Sequence, residues 1–149
     1  METVVDNFFS RKILLETKDI YGAALELVFV LDSFGKSQFT QNTFETDGPR
    51  KKSKVAAALV KRFDKHSSLA MSVKITGESN GIGYIEVMIN ADFQMVFPLE
   101  EGIVYNTFMN YYAGSISHVF REMAEQRAKE IYDALEQKAK ELRQRQPMS

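Results

Sequence analysis

The sequence predicts a single α+β domain in which a curved antiparallel sheet of about four to six strands packs on a long C-terminal helix. Three observations indicate this class. Apolar residues alternate in steps of two over residues 69–97, and they recur with helical spacing over residues 115–143. The length of 149 residues suits one hydrophobic core. One amphipathic helix is expected between the strands, and residues 143–149 are expected to form a disordered tail.

The N-terminal part is predicted to contain a short helix over residues 2–10 and then two strands, 11–18 and 23–31. In the second strand, apolar residues occupy every second position from Ala23 to Leu31. Val28 and Val30 make its opposite face apolar as well, which favours a central strand covered on both sides. Residues 37–45 are mostly polar, as is typical of an edge strand.

Residues 50–65 are predicted to be the inserted amphipathic helix. The preceding Thr46-Asp47-Gly48-Pro49 offers a capping side chain and a first-turn proline. At helical spacing, Val55, Leu59 and Phe63 share one side, and most of the cations fall on the other.

The cations of residues 50–65 are a candidate anion-binding site. The segment holds seven Lys or Arg residues and one Asp, in a chain whose net charge is -1. An ordinary solvated helix face would have a similar composition, so both interpretations stay open. The residues of the candidate site are Arg50, Lys51, Lys54, Lys61 and Lys65.

Residues 69–97 are predicted to form a β-hairpin. Alternating apolar residues on both sides of the sequence GESNGIG indicate two strands, and Asn80-Gly81 suits a tight turn between them. The second strand, 83–97, is long enough that we expect a bend near residues 90–92. Gly77, Gly81 and Gly83 do not indicate a nucleotide loop, because a strand and not a helix follows them.

The C-terminal helix is predicted to begin near Ser115 or Ser117 and to end near Arg143. Its apolar residues thin out beyond Leu135, so we expect the last two turns to project from the domain. Residues 98–113 fit either a helix or a strand, and the helix is favoured. The apolar side of the C-terminal helix is predicted to comprise Val119, Phe120, Met123, Ala124, Ala128, Ile131, Leu135 and Leu142.

A long curved hairpin followed by a terminal helix of similar length, over residues 69–142, resembles the helix-grip arrangement of the START-like superfamily. The resemblance implies that an apolar ligand would be held between the sheet and the helix. The chain departs from that superfamily after its first strand, where the pair of short helices usual in the family is missing.

No motif predicts a catalytic centre, and no metal or cofactor is predicted. The chain has no cysteine, which excludes disulfides and thiolate chemistry, and His66 and His118 lack nearby residues that would complete a metal site. Asp92 is interpreted as an exposed strand position. Glu100 and Glu101 are interpreted as the acidic start of a helix, and none of the three as a catalytic acid. The opening METVVDNFF does not resemble a signal peptide, and no run is long enough for a membrane span, so a cytoplasmic protein is expected.

Aromatic and methionine side chains are concentrated in the sequence IVYNTFMNYY. They are typical of a core, but a ligand pocket or a subunit interface would have the same composition. Our first hypothesis is a non-enzymatic binding or assembly domain that holds an apolar small molecule or forms a homo-oligomer. The alternative is an anion-binding module for nucleic acid, a phosphorylated ligand or an acidic protein. The candidate ligand or interface residues are Tyr105, Phe108, Met109, Tyr111 and Tyr112.

Overall fold

The fold is taken from a computed structural model, which describes residues 2–35, 38–97 and 117–144. These residues form one five-stranded antiparallel sheet and two helices, which confirms the predicted α+β class. The sheet is curved and does not close into a barrel. Its elements are β1 (Glu2–Thr17), α1 (Ile20–Asp32), β2 (Gln38–Asp47), β3 (Arg50–Arg62), β4 (Ser67–Asn80), β5 (Ile82–Phe97) and α2 (Ser117–Gln144).

The strand order is β1-β5-β4-β3-β2, so the four later strands form a meander and β1 pairs with the last of them. Both helices pack on the same face of the sheet. Helix α1 contacts β3, β4 and β5, whereas α2 contacts β1, β4 and β5, and the two helices contact each other. The hydrophobic core lies in this layer, among side chains such as Ile13, Val73, Ile89, Leu27 and Ile131. The opposite face of the sheet is called the outer face below.

The predicted hairpin is confirmed by the pairing of β4 with β5. Gly81 stands in the turn with φ of 90°, a conformation that glycine adopts without steric cost. Gly83 follows at a close approach to the backbone, since an added Cβ would lie 2.3 Å from the carbonyl oxygen of Thr17. The register of β1 against β5 shifts between Asn7 and Phe9, opposite Asp92 and Ala91, whereas β5 pairs with β4 without a shift.

The predicted helix over residues 50–65 is wrong, because residues 50–62 form strand β3. The chain alternates between buried Val55, Ala57 and Leu59 and more exposed residues between them, which is the period of a strand. The sequence that resembled a helix start is a two-residue turn between β2 and β3, with Gly48 at φ of 61°. The valine and alanine residues of this segment fit both the helical and the strand period. Pairing with β4 makes the segment a strand.

The predicted strand over residues 23–31 is also wrong, because it lies within helix α1. The buried residues of α1 recur at helical spacing, and Asp19 caps the helix by accepting a hydrogen bond from the Gly22 amide at 3.0 Å. The predicted N-terminal helix over residues 2–10 is strand instead, because β1 extends over the whole segment. The predicted strands 11–18 and 37–45 correspond to β1 and to the edge strand β2.

Helix α2 is confirmed, but its last two turns do not project. Leu135, Ala139 and Leu142 are buried, and Arg143 donates a hydrogen bond to the backbone carbonyl of Leu14 on β1. Val119 and Met123, which were expected on the buried side, are 55% and 46% exposed. The ambiguous residues 98–113 and most of the predicted tail lie outside the described residues.

We expect Gly83→Ala to destabilise the protein by about 2 kcal/mol or more, since the new methyl group would clash with the backbone of Thr17. Urea denaturation measures the change. Gly77→Ala is the matched control, because its Cβ would meet the movable hydroxyl of Ser53 at 2.6 Å. An equal loss of stability in both variants would contradict the close approach at Gly83.

Leu142→Ala is expected to lower the free energy of unfolding by about 2 to 3 kcal/mol, because this side chain is 7% exposed against the core. Met123→Ala, on the exposed side of the same helix, should cost less than about 1 kcal/mol. Thermal and urea unfolding of the two variants would test the packing of the helix end, and similar values would argue against it.

Candidate functional site

The structure separates the predicted anion-binding residues. Lys54 and Lys61 lie seven positions apart on an extended strand, roughly 23 Å at about 3.3 Å per residue. Lys51 belongs to the helix-facing side, where its ammonium lies 5.7 Å from the centre of the Tyr21 ring. Lys65 lies beyond the end of β3, in the turn before β4. Arg50, Lys52 and Lys54 alternate with buried residues and stand on the outer face.

A trough crosses the outer face, perpendicular to the strands. One wall follows the cross-strand row of Leu14, Glu86, Thr76 and Lys54, on β1, β5, β4 and β3. The other wall follows the next row of Tyr84, Glu78 and Lys52, on β5, β4 and β3. Between the rows lies a cavity of about 320 Å³. This volume is at the lower end of the range usual for small-molecule sites.

The floor of the trough is formed by residues whose side chains are buried on the helix side. Ser53, Gly77 and Ile85 line the cavity, and they are paired across β3, β4 and β5 in a single row. Because side chains alternate along a strand, these residues present their backbone to the outer face. Gly77 fits here because an added Cβ would lie 2.6 Å from the Ser53 hydroxyl.

The walls of the trough change character from one end to the other. Leu14, which is 62% exposed, and Tyr84, which is 58% exposed, make the end nearest β1 apolar. Glu86 lies across the trough from Tyr84 on β5, Glu78 follows on β4, and Lys54 and Lys52 form the β3 end. The trough therefore has an apolar end, an acidic middle and a basic end.

The two lysines at the basic end make no ion pair within the described residues. Lys52 is opposite Glu45 and Glu78 in the sheet register, yet no salt bridge within 4.0 Å forms among the described side chains. Lys54 stands between two threonines, Thr43 and Thr76. Glu86, in contrast, pairs with Lys12 at 3.4 Å.

A smaller cavity of about 170 Å³ continues from the basic end toward the edge strand β2. It shares Lys52 and Lys54 with the trough, and β2 contributes Gln41, Thr43 and Glu45. The two ammonium groups thus stand between two depressions. An anionic group could approach them from either side.

A small cavity lies between the sheet and the helices. Its volume is about 60 Å³, and it is lined by Phe34, Leu59, Met71, Arg127 and Ile131 among others. This is enough space for a few water molecules. Arg127 closes its rim by donating a hydrogen bond to the Phe34 carbonyl oxygen at 2.5 Å.

The outer side of α1 is a second unusual surface. Of its 13 residues only Glu26 and Asp32 are charged, and its core-facing residues are Ile20, Ala23, Ala24, Leu27 and Leu31. Leu25 and Phe29 point away from the core. Leu25 is 48% exposed and Phe29 is 69% exposed.

The histidines lie far from the trough. His66 is buried in the turn between β3 and β4, and His118 on α2 contacts Glu122 at 3.1 Å. Across the described ranges, no three His, Asp or Glu residues are grouped as metal ligands would be. Nor does any helix in those ranges have the length and apolarity needed to cross a membrane. Residues 105–112, the predicted aromatic site, lie outside the described residues.

Sequence reasoning missed the trough because it is assembled from four strands. The β4–β5 register could be deduced from the Asn80-Gly81 turn, which places Thr76 beside Glu86 and Glu78 beside Tyr84. The position of Lys52 and Lys54 could not be deduced in the same way, because it depends on residues 50–62 being a strand.

Comparison with known proteins does not identify the chain. No protein-family model matches it, and no curated protein matches it. Among solved structures, it has a weak similarity to an uncharacterised protein from Rhizobium leguminosarum, with 8% identity and a TM-score of 0.23. That similarity covers 95% of this chain and 99% of the other.

Ser53→Ala is expected to stabilise the protein by about 1 kcal/mol. The Ser53 hydroxyl is buried and has no hydrogen-bond partner among the described residues, so its desolvation is uncompensated. Thr17→Val is the contrasting variant, because the Thr17 hydroxyl accepts a hydrogen bond from the Asp19 amide and its loss should destabilise. Urea unfolding measures both, and a destabilised Ser53→Ala variant would indicate that the hydroxyl has a partner.

Proposed function

We propose that this protein is a non-enzymatic assembly domain that forms a homodimer through the outer side of α1. The observation that supports the proposal is the exposure of Leu25 and Phe29 on a helix that is apolar around most of its circumference. Helices of this composition are normally covered on all sides. Covering both side chains would contribute a few kcal/mol, at about 1.5 to 3 kcal/mol for each fully buried residue.

A second copy of the chain fits this surface because the pattern is self-complementary. Leu25 and Phe29 are four residues apart and therefore share one face of the helix. A two-fold axis between two antiparallel α1 helices would place Leu25 of each subunit against Phe29 of the other. Closed two-fold dimers bury the same patch on both subunits, which is the commonest form of homo-oligomer.

The charge of the protein permits such an association. The net charge is -1, so two copies repel each other only weakly. Helix α1 carries no lysine or arginine whose aliphatic stem could shield Phe29. Phenylalanine is among the aromatic side chains that are enriched in the cores of protein interfaces.

We expect the native protein to be a dimer at about 50 µM and Phe29→Glu to be a monomer, as measured by light scattering coupled to size-exclusion chromatography. Burying two carboxylates at the two-fold axis would be strongly unfavourable. Val60→Glu is the matched control, because Val60 is 70% exposed but lies on the outer face of the sheet.

The control variant should remain dimeric, and circular dichroism should show that both variants fold. A native protein that is monomeric at this concentration would overturn the proposal. Dimerisation that persists in both Phe29→Glu and Leu25→Glu would show that the interface lies elsewhere.

A further inference from the structure

We propose that the trough on the outer face binds a small zwitterion with an apolar group next to its cationic end. A short peptide with a free N-terminus, a free C-terminus and an aromatic first residue belongs to this class. The site is separate from the proposed dimer interface, because α1 packs on the opposite face of the sheet. The two proposals can therefore fail independently.

The order of groups along the trough determines the ligand class. The carboxylates of Glu78 and Glu86, the second of which is shared with Lys12, would receive an ammonium group, and the ammonium groups of Lys52 and Lys54 would receive a carboxylate. Leu14 lies beyond both glutamates on the side away from the lysines, and Tyr84 lies one strand beyond Glu78, on the same strand as Glu86. An apolar group attached near the ligand ammonium would therefore contact them.

The spacing of the strands sets the ligand length. Neighbouring strands are about 4.8 Å apart, so β3 and β5 are separated by roughly 10 Å and β3 and β4 by about half of that. A dipeptide spans roughly 7 Å between its terminal charges when extended. This length lies between the separation of the lysines from the Glu78 strand and their separation from the Glu86 strand, whereas a single residue, at about 3.5 Å, is shorter than either.

Charges of both signs exclude a polyanion as the preferred ligand. Glu45, Glu78 and Glu86 line the two cavities beside Lys52 and Lys54. Within these two cavities a nucleic acid would contact two lysines and meet three carboxylates, which is unlike the basic surfaces that bind it. A single carboxylate can approach the lysines without contacting the acidic middle.

The lysines are available for a ligand, because no described carboxylate lies within 4.0 Å of either ammonium group. Thr43 and Thr76 flank Lys54, and Thr43 adds a hydroxyl donor, whereas the Thr76 hydroxyl donates to the backbone carbonyl oxygen of Glu86 at 3.5 Å. The cavity volume of about 320 Å³ is sufficient for a dipeptide with one aromatic side chain.

The test is a titration of the isotope-labelled full chain with the dipeptide phenylalanyl-glycine, followed by backbone amide chemical shifts. N-acetyl-phenylalanyl-glycine and phenylalanyl-glycinamide each remove one terminal charge. We expect saturable shifts of amides in β3, β4 and β5 around the trough, and about fivefold weaker binding of either capped peptide.

The protein variants assign each charge to its partner. Lys54→Gln should weaken the free dipeptide about fivefold, and because Lys52 remains it should reduce, without abolishing, the difference between the free and the glycinamide forms. Glu78→Gln should instead reduce the difference between the free and the N-acetylated dipeptide, with Glu86 still present. Lys74→Gln is the matched control, since Lys74 is exposed on the outer face of β4 but does not line the trough, and its affinity should stay within twofold.

Two results would overturn the proposal. One is the lack of saturable shifts around the trough at peptide concentrations up to about 20 mM. The other is an equal loss of affinity in Lys54→Gln and Lys74→Gln, which would mean that the outer face attracts the peptide only through its general charge.

Discussion

The pairing of β1 with β5 is the constraint on which the rest of the architecture depends. It places the first strand at one edge of the sheet, while β2 forms the other edge. The connecting segment must therefore cross the whole sheet, and α1 makes that crossing over β3, β4 and β5. Helix α2 occupies the remaining space over β1 and next to α1. Both helices thus lie on one face, and no described element packs on the other.

This one-sided arrangement gives the molecule two surfaces of different chemistry. On the helix side, the apolar outer side of α1 is exposed. The outer face of the sheet instead carries acidic residues, lysines and threonines around the trough. An open sheet face with charges of both signs resists stacking on another sheet, because each charge would have to be desolvated. Assembly through α1 would leave this face accessible, so the two proposed interactions are compatible in one particle.

The parts of the fold that the sequence predicted correctly are those where a single period fits. Leu69 to Ile75 alternate with polar residues, and α2 has clear helical spacing. Residues 50–62 and 23–31 were assigned incorrectly because their alanine, valine and leucine residues satisfy both periods. Only long-range contacts distinguish the two: pairing with β4 makes the first a strand, and packing on the sheet makes the second a helix. The trough could not be predicted for the same reason, since it needs the correct register of four strands.

The β1–β5 pairing also bears on the order in which the chain can assemble during its synthesis. Among the described strands, β1 is translated before the others and its partner β5 after them, since Glu2 pairs with Phe97 and Thr17 with Gly83. The strands β2 to β5 are joined by short turns and can pair with their neighbours as soon as they emerge. Ile13 and Leu15 must therefore wait for their strand partner until β5 has been synthesised. The pairing of β1 with β5 is the last that the direction of translation allows among these five strands.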